Sequence, residues 1–227
     1  MNATANRIGA VILDLDGTLM DTAGEIEAAL GRAFAELGIP KPGSDEVRRL
    51  IGRGVRSLVE RALQARAASR IDLEEAIARF ERHYAALVGT EANLYPGALE
   101  GVRRLHAAQR HLAVVTNKPR AFTMALLRRV NVDAMIPVVV AGDDGIPRKP
   151  AGDMLRAACE KMGSHPGETL MLGDSDNDVI AARAAGCPVW CVPYGYNEGR
   201  APETLACDRL VASVDEAARL LLAADKA

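Results

Sequence analysis

Ile8 to Leu13 is a continuous apolar run that stops at an aspartate, the pattern of a strand covered on both faces whose end opens into a site. Similar runs recur at Leu112 to Thr116, Val138 to Ala141, Thr169 to Gly173 and Val189 to Val192. Helical patterns lie between them: Leu99, Val102 and Leu105; Phe122, Leu126 and Val130; Met154, Leu155 and Ala158; and the alanine-rich Val179 to Ala185, closed by Gly186 and Pro188. Strand and helix alternate, which predicts an α/β fold with a Rossmann-like parallel sheet and helices on both faces.

The interval from about Asp21 to about Leu94 breaks this rhythm, with helical patterns and no convincing strand. Its stripes are Ile26, Leu30, Phe34 and Leu37; Val47, Leu50 and Ile51; Val55, Leu58, Val59 and Leu63; and Ile77, Phe80, Tyr84 and Leu87. Gly38 to Gly43 is its clearest turn, and Tyr95-Pro96-Gly97 marks the return to the sheet. The expected division is a core of residues 1–20 and 95–227 with a helical domain, 21–94, inserted after the first strand.

Composition narrows the partner. The 227 residues are 49% hydrophobic and carry a formal charge of −2, with acids and bases mixed, so no long-range field recommends nucleic acid or a membrane surface. A small molecule is the expected ligand. The apolar run near the start ends too soon for a signal sequence or a span, which predicts a cytoplasmic protein. Cys159, Cys187, Cys191 and Cys207 show no Cys-x-x-Cys pairing and the four histidines no metal spacing, so the cysteines read as reduced thiols rather than a zinc site.

Four segments at strand ends carry the candidate chemistry. In Asp14-Leu15-Asp16-Gly17-Thr18, residues two apart on a strand face the same way, so both carboxylates project together while Leu15 turns into the core. Two like charges that close are costly unless a cation or proton joins them. Magnesium takes such oxygen ligands while keeping waters and a substrate phosphate. Gly17, lacking a Cβ, lets backbone N–H groups approach phosphoryl oxygens. Thr116-Asn117 offers a hydroxyl and an amide where a phosphoryl oxygen sits, Lys149 a charge to neutralise phosphate and nucleophile, and Asp174 and Asp178 acids four apart at a helix start. Each has a bland alternative: a solvated turn, a helix cap before Pro119, an exposed lysine and an acid-capped helix. Together they gather along one edge of a parallel sheet, where open α/β folds bind ligands.

In that order the residues resemble the haloacid dehalogenase superfamily of phosphohydrolases over essentially the whole chain. The resemblance implies that Asp14 is a nucleophile forming an aspartyl-phosphate. It implies that Asp16 is general acid and then general base, and also a magnesium ligand through its backbone carbonyl. It further implies that Thr116 and Lys149 bind phosphate, that Asp174 is a metal carboxylate, and that Asp178 is a metal-water or lysine partner. Asp176 is expected in an outer role.

The inserted helices resemble the family's cap, which closes over small substrates. Arg53, in Gly52-Arg53-Gly54-Val55-Arg56, is the expected partner of an anionic substrate group, against a plain turn with solvated arginines. Thr116-Asn117-Lys118 and Tyr194 to Gly199 resemble the phosphoglycolate phosphatase branch in particular. The expectation is therefore a magnesium-dependent monomer or homodimer hydrolysing 2-phosphoglycolate. A sugar or amino-sugar phosphatase, a phosphomutase and a non-catalytic phosphate-binding module are the alternatives.

Overall fold

The structure, a computed structural model, describes residues 8–225. Its strands are β1 (Ala10–Leu13), β2 (Met20–Asp21), β3 (Asn93–Leu94), β4 (His111–Val115), β5 (Val138–Val140), β6 (Thr169–Gly173), β7 (Val189–Cys191) and β8 (Arg209–Leu210). Six of them form one parallel sheet in the order β5-β4-β1-β6-β7-β8. The five expected sheet strands are present. The sixth, β8, is a two-residue edge strand whose residues are exposed, so it leaves no apolar run to read.

The helices of the sheet domain are α5 (Ala98–Ala107), α6 (Arg120–Arg129), α7 (Asp153–Met162), α8 (Asp176–Ala185) and α9 (Val214–Ala224). Successive side chains of β1 point to opposite faces, and both faces are covered. Val11 and Leu13 pack with Val102 and Leu105 of α5, Leu126 of α6 and Val214 and Leu221 of α9. Ala10 and Ile12 pack with Met154 and Leu155 of α7 and Val179 and Ala182 of α8. This double burial is why the strand reads as an unbroken apolar run rather than an alternation. No helix among the described residues is long and apolar enough to cross a membrane.

Between β2 and β3 lie α1 (Ala23–Glu36), α2 (Ser44–Leu50), α3 (Val55–Gln64) and α4 (Leu73–Leu87). Their stripes meet in a separate cluster around Leu30, Phe34, Val59, Phe80 and Tyr84, joined by Tyr196 and Phe122 from the sheet side of the molecule. The ends of this insert differ from the expectation of helices alone. The chain leaves and re-enters through an antiparallel ribbon, Met20 opposite Leu94 and Asp21 opposite Asn93, too short to show any periodicity. Buried Glu25 ties the return: its Oε1 accepts from the N–H groups of Glu91 at 2.8 Å and Ala92 at 2.9 Å.

Sheet order decides what meets where. β1 lies between β4 and β6, so Asp14, Thr116 and Asp174, each immediately after its strand, emerge side by side at the carboxyl edge. At the opposite layer α5 and α9 approach so closely that a Cβ on Gly101 would sit 2.5 Å from the carbonyl carbon of Val214 and 2.7 Å from the nitrogen of Asp215. Both atoms are backbone and cannot swing aside. Gly101→Ala is therefore expected to destabilise the fold by about 1–3 kcal/mol despite alanine's better helix propensity. Urea unfolding checks it, and unchanged stability would show that the two helices slide apart freely.

Candidate active site

Asp14 follows β1, its N–H donating to the Leu172 carbonyl at 3.0 Å, and this bond fixes its side chain against the end of β6. Its carboxylate meets Lys149, whose Nζ lies 2.8 Å from Asp14 Oδ1 and 2.7 Å from Asp178 Oδ1. All three side chains are buried. Lys149 is held in place through its backbone: its N–H donates to Asn117 Oδ1 at 3.0 Å, and its carbonyl accepts from Asn117 Nδ2 at 2.9 Å. Asn117 Nδ2 also reaches the Gly52 carbonyl at 2.9 Å. The Asn117 amide is thus committed to bracing Lys149 and the helical insert, and is not turned toward a phosphoryl oxygen as the sequence suggested.

Asp178 has its remaining oxygen fully used. Its Oδ2 accepts from the N–H groups of Asp174 at 3.2 Å and Ser175 at 3.1 Å and from Ser175 Oγ at 2.9 Å, closing the first turn of α8 as a capping box. It anchors Lys149, the second of the two roles expected for it. Asp174 is held by Thr18 Oγ1, donating to Oδ1 at 2.8 Å, and by the Tyr196 N–H, donating to Oδ2 at 2.8 Å. A Cβ at either Gly17 or Gly195 would strike its carboxylate. Gly17, at φ +93°, therefore makes room for Asp174, while its own N–H donates to the Met20 carbonyl at 2.9 Å rather than pointing outward.

One oxygen each of Asp14, Asp174 and Asp178 lies within 4.8 Å of the others. Burial, together with the Asp178 charge, pushes the Asp174 carboxyl up to about 7. Burial likewise raises Asp14 well above the usual carboxylate range, with Lys149 opposing the shift. Three buried acids facing one ammonium leave excess negative charge, and an all-oxygen donor set suits a hard divalent cation. The residues fit such an ion, since each Asp174 oxygen accepts a single hydrogen bond and keeps a lone pair, and Asp14 meets Lys149 through Oδ1 alone.

Asp16 departs from the expected shared cation. It lines the same cavity as Asp14 but has its own partner: its Oδ1 accepts from Lys118 Nζ at 2.7 Å and Thr22 Oγ1 at 2.6 Å. Lys118 is buried, with its ammonium 4.9 Å from the centre of the Tyr84 ring. Burial alone would lower its pKa, but Asp16 and Tyr84 outweigh it and hold the amine above the ordinary lysine range. No role for Lys118 emerged from the sequence beyond its place in Thr116-Asn117-Lys118. Pro119 just after it and a strand just before it were the only signals that it sits at the site edge.

Thr116 is buried beside Asp14 and Asp16 in a cavity of about 40 Å³, whose far wall is Ile26, Val55, Leu58, Phe80 and Tyr84 of the insert, room for roughly three or four water-sized spheres. Arg53 is elsewhere. Its guanidinium pairs with Glu198 and its side chain is 52% exposed, so the structure does not bring it to the substrate. Arg56 likewise pairs with Glu74, and Asp176 pairs with Arg200 outside the cluster. The tyrosine-rich loop does pack beside the site, with Tyr194 Oη donating to the Thr18 carbonyl at 3.1 Å and Tyr196 Oη to Asp21 Oδ1 at 2.8 Å. All four cysteines are free.

Residues 11–192 match the family described as haloacid dehalogenase-like hydrolase. The chain belongs to that family. Among curated relatives, a phosphoglycolate phosphatase of Thiobacillus denitrificans is 41% identical over 94% of this chain and 96% of its own length. One of Escherichia coli is 36% identical over 92% and 90% respectively. Among solved structures, a predicted phosphoglycolate phosphatase from Haemophilus somnus superposes with a TM-score of 0.90 at 26% identity, over 94% of this chain and 98% of that one. CbbY from Rhodobacter sphaeroides, in complex with phosphate, gives 0.80 at 27% identity over 92% and 96%. This haloacid dehalogenase-like hydrolase is a phosphatase.

In this hydrolase Lys149→Met leaves Asp14 and Asp178 buried without their cation, an expected loss of about 3–5 kcal/mol at neutral pH. The orphaned Asp14 carboxyl, already raised by burial and now without the opposing Lys149, recovers neutrality by binding a proton, so its folded pKa lies above the unfolded value of about 4. Groups shifted in that direction support the fold below about pH 4 and cost stability as pH climbs above it. The deficit relative to wild type should therefore narrow at pH 5 and widen by pH 8 in urea melts. A pH-independent deficit would place the loss in packing instead.

Proposed function

We propose that this phosphatase hydrolyses 2-phosphoglycolate with magnesium, through an aspartyl-phosphate on Asp14. The observation that carries the reading is Lys149, bridging Asp14 and Asp178 beside a third buried carboxylate. That arrangement keeps Asp14 fixed and supplies positive charge where a phosphoryl group would meet it. The phosphoryl group would sit between Asp14, Lys149 and Thr116, so that little beyond positioning and charge neutralisation is needed.

The nucleophilic step is attack by an Asp14 oxygen on phosphorus, with the P–O bond to the leaving alcohol breaking. Asp16 would give the departing oxygen its proton and then take one from water, a role supported by its position two residues on and lining the same cavity. Asp14, Asp174 and the Asp16 carbonyl would hold magnesium, with Asp178 as the lysine partner beside them, and the ion would supply charge neutralisation on the phosphoryl oxygens. The phosphorylated Asp14 is hydrolysed when water reaches phosphorus, regenerating the carboxylate. Residues 21–94 act as a cap over this chemistry: the insert is joined by a two-residue ribbon and its apolar wall closes the cavity. Substrate size and the names of the relatives support phosphoglycolate, since the cavity is small and the curated relatives bear that name. The reaction would take place in the cytoplasm, in a monomer or homodimer.

Across a panel of phosphoglycolate, hexose phosphates, amino-sugar phosphates, a pentulose bisphosphate and nucleotides, phosphoglycolate should give the highest kcat/KM. A sugar phosphate in first place, or transfer to a second hydroxyl without free phosphate, would reject this substrate and reaction. Asp14→Asn should lower phosphate release at least about 1,000-fold while the melting curve keeps its shape. Turnover within tenfold of wild type would remove Asp14 as nucleophile.

Metal should act on stability as well as rate. Asp14 and Asp174 are raised by burial, so without metal their contribution favours the fold at low pH and fades as pH rises toward 7. A cation needs them ionised. Magnesium at a hundredfold excess over its dissociation constant stabilises by about 2.7 kcal/mol. At a fixed concentration, its increment in melting temperature should grow from pH 5 to pH 8. An increment that shrinks over that range would contradict this ligand set.

A further inference from the structure

Arg53 and Arg56, the expected readers of an acidic substrate, are turned away from the cavity and paired with Glu198 and Glu74. Of the residues lining the cavity only Asp14, Asp16 and Lys118 carry charge, and Lys118 is the single cation. The opposite wall is apolar, formed by Ile26, Leu58, Phe80 and Phe122. A carboxylate entering such a space is strongly disfavoured unless it meets a cation at hydrogen-bond distance. Lys118 is the group able to provide one.

Its placement also sets a length. Lys118 Nζ lies 2.7 Å from Asp16 Oδ1, so the ammonium is one hydrogen bond away from the group that handles the leaving oxygen. An acid whose carboxylate is separated from that oxygen by a single carbon can touch both together. A longer acid would carry its carboxylate farther from Asp16 than an ammonium 2.7 Å from Asp16 Oδ1 can meet. Tyr84 stacks beside Phe80 with ring centroids 5.6 Å apart and meets the Phe122 ring at 4.9 Å. The ammonium over the Tyr84 face is therefore backed by a packed aromatic set and cannot follow the longer acid without leaving it.

We propose that Lys118 is the specificity-determining residue of this phosphatase, the cation that binds a substrate carboxylate one carbon from the leaving oxygen. Binding exchanges one carboxylate partner for another: the ammonium turns from Asp16 to the substrate, and no charge is left unpaired on the lysine. The inference rests on the phosphoglycolate reading, and it assigns that reading to a lysine of the core rather than an arginine of the insert.

The test compares wild type, Lys118→Met and Lys118→Arg on 2-phosphoglycolate and on 2-hydroxyethyl phosphate, which is similar in length and lacks the carboxylate. The ratio of kcat/KM for the acid over the neutral ester should fall roughly 10- to 100-fold in Lys118→Met, the worth of a hydrogen bond to a charged group. The arginine variant should recover part of it. An unchanged ratio, with both substrates losing equally, would reduce Lys118 to support for Asp16 and overturn the proposal. If wild type does not hydrolyse phosphoglycolate, the substrate reading fails on its own terms. Lys118 is then read by glycolate inhibition of para-nitrophenyl phosphate hydrolysis. Inhibition lost in Lys118→Met sustains the carboxylate site, and inhibition equal in both proteins, or absent from both, rejects it.

Discussion

A lysine with its ammonium held between two buried carboxylates joins every part of the phosphatase site. Lys149 belongs to the long connection after β5, Asp14 to the end of β1, and Asp178 to the first turn of α8. Removing an ammonium from water costs several kcal/mol, and the cost is recovered only with good geometry and saturated partners. Both conditions are met here. Asp178 spends its second oxygen on the α8 N-terminus, so it cannot swing away, and Asn117 grips both polar backbone groups of Lys149. Asp14, the proposed nucleophile, inherits this rigidity. An in-line attack needs the attacking oxygen fixed, and the fixing is done by charges two elements away.

The same geometry explains why the acids of the first motif have separate partners. Asp14 and Asp16 are two apart, and a strand would have aimed them alike. The strand ends at Leu13, and the following turn places the Leu15 carbonyl to accept from the Leu19 and Met20 N–H groups, at 3.0 and 2.9 Å. Asp14 is left facing Lys149 and Asp16 facing Lys118. Each lysine neutralises one acid, which keeps the proposed nucleophile and the proposed proton carrier electrically distinct although both border one cavity.

How far the sequence revealed this depended on burial. Strands covered on both faces leave continuous apolar runs, and β1, β4, β5, β6 and β7 were all legible for that reason. The helical insert was legible from its stripes, because α1 to α4 bury one side each in a common cluster. β8 and the β2–β3 ribbon were not, since two residues carry no period. Side-chain direction was the harder matter. Gly52 and Gly54 do line the cavity, and Arg53 between them was read as lining it too. Both glycines have positive φ, +117° and +83°, and the chain between them carries the arginine outward to Glu198. Lys118 received no reading of its own. A lysine in a sequence is read as exposed, and nothing local announces that Tyr84, thirty-four positions earlier on α4, will cover it.

Charge counting sets the two lysines against the acids of the site. With all groups ionised, Asp16 and Lys118 cancel, whereas Asp14, Asp174 and Asp178 against Lys149 leave a net of two negative charges. A phosphate monoester near neutral pH is itself a dianion, so the bare site would repel its substrate in a buried setting where charges are poorly screened. Protons relieve part of the excess, which is the sense of the raised Asp14 and Asp174 carboxyls. A protonated Asp14 is a poor nucleophile, however, so protons solve the electrostatic problem at the expense of the chemistry. The same carboxylates could instead hold a divalent cation, which would offset the excess while Asp14 stays ionised. The carboxylates at the carboxyl edge of the sheet thus exceed Lys149 by two charges, and a divalent cation bound there would make both the anionic substrate and an ionised Asp14 tolerable in one small cavity.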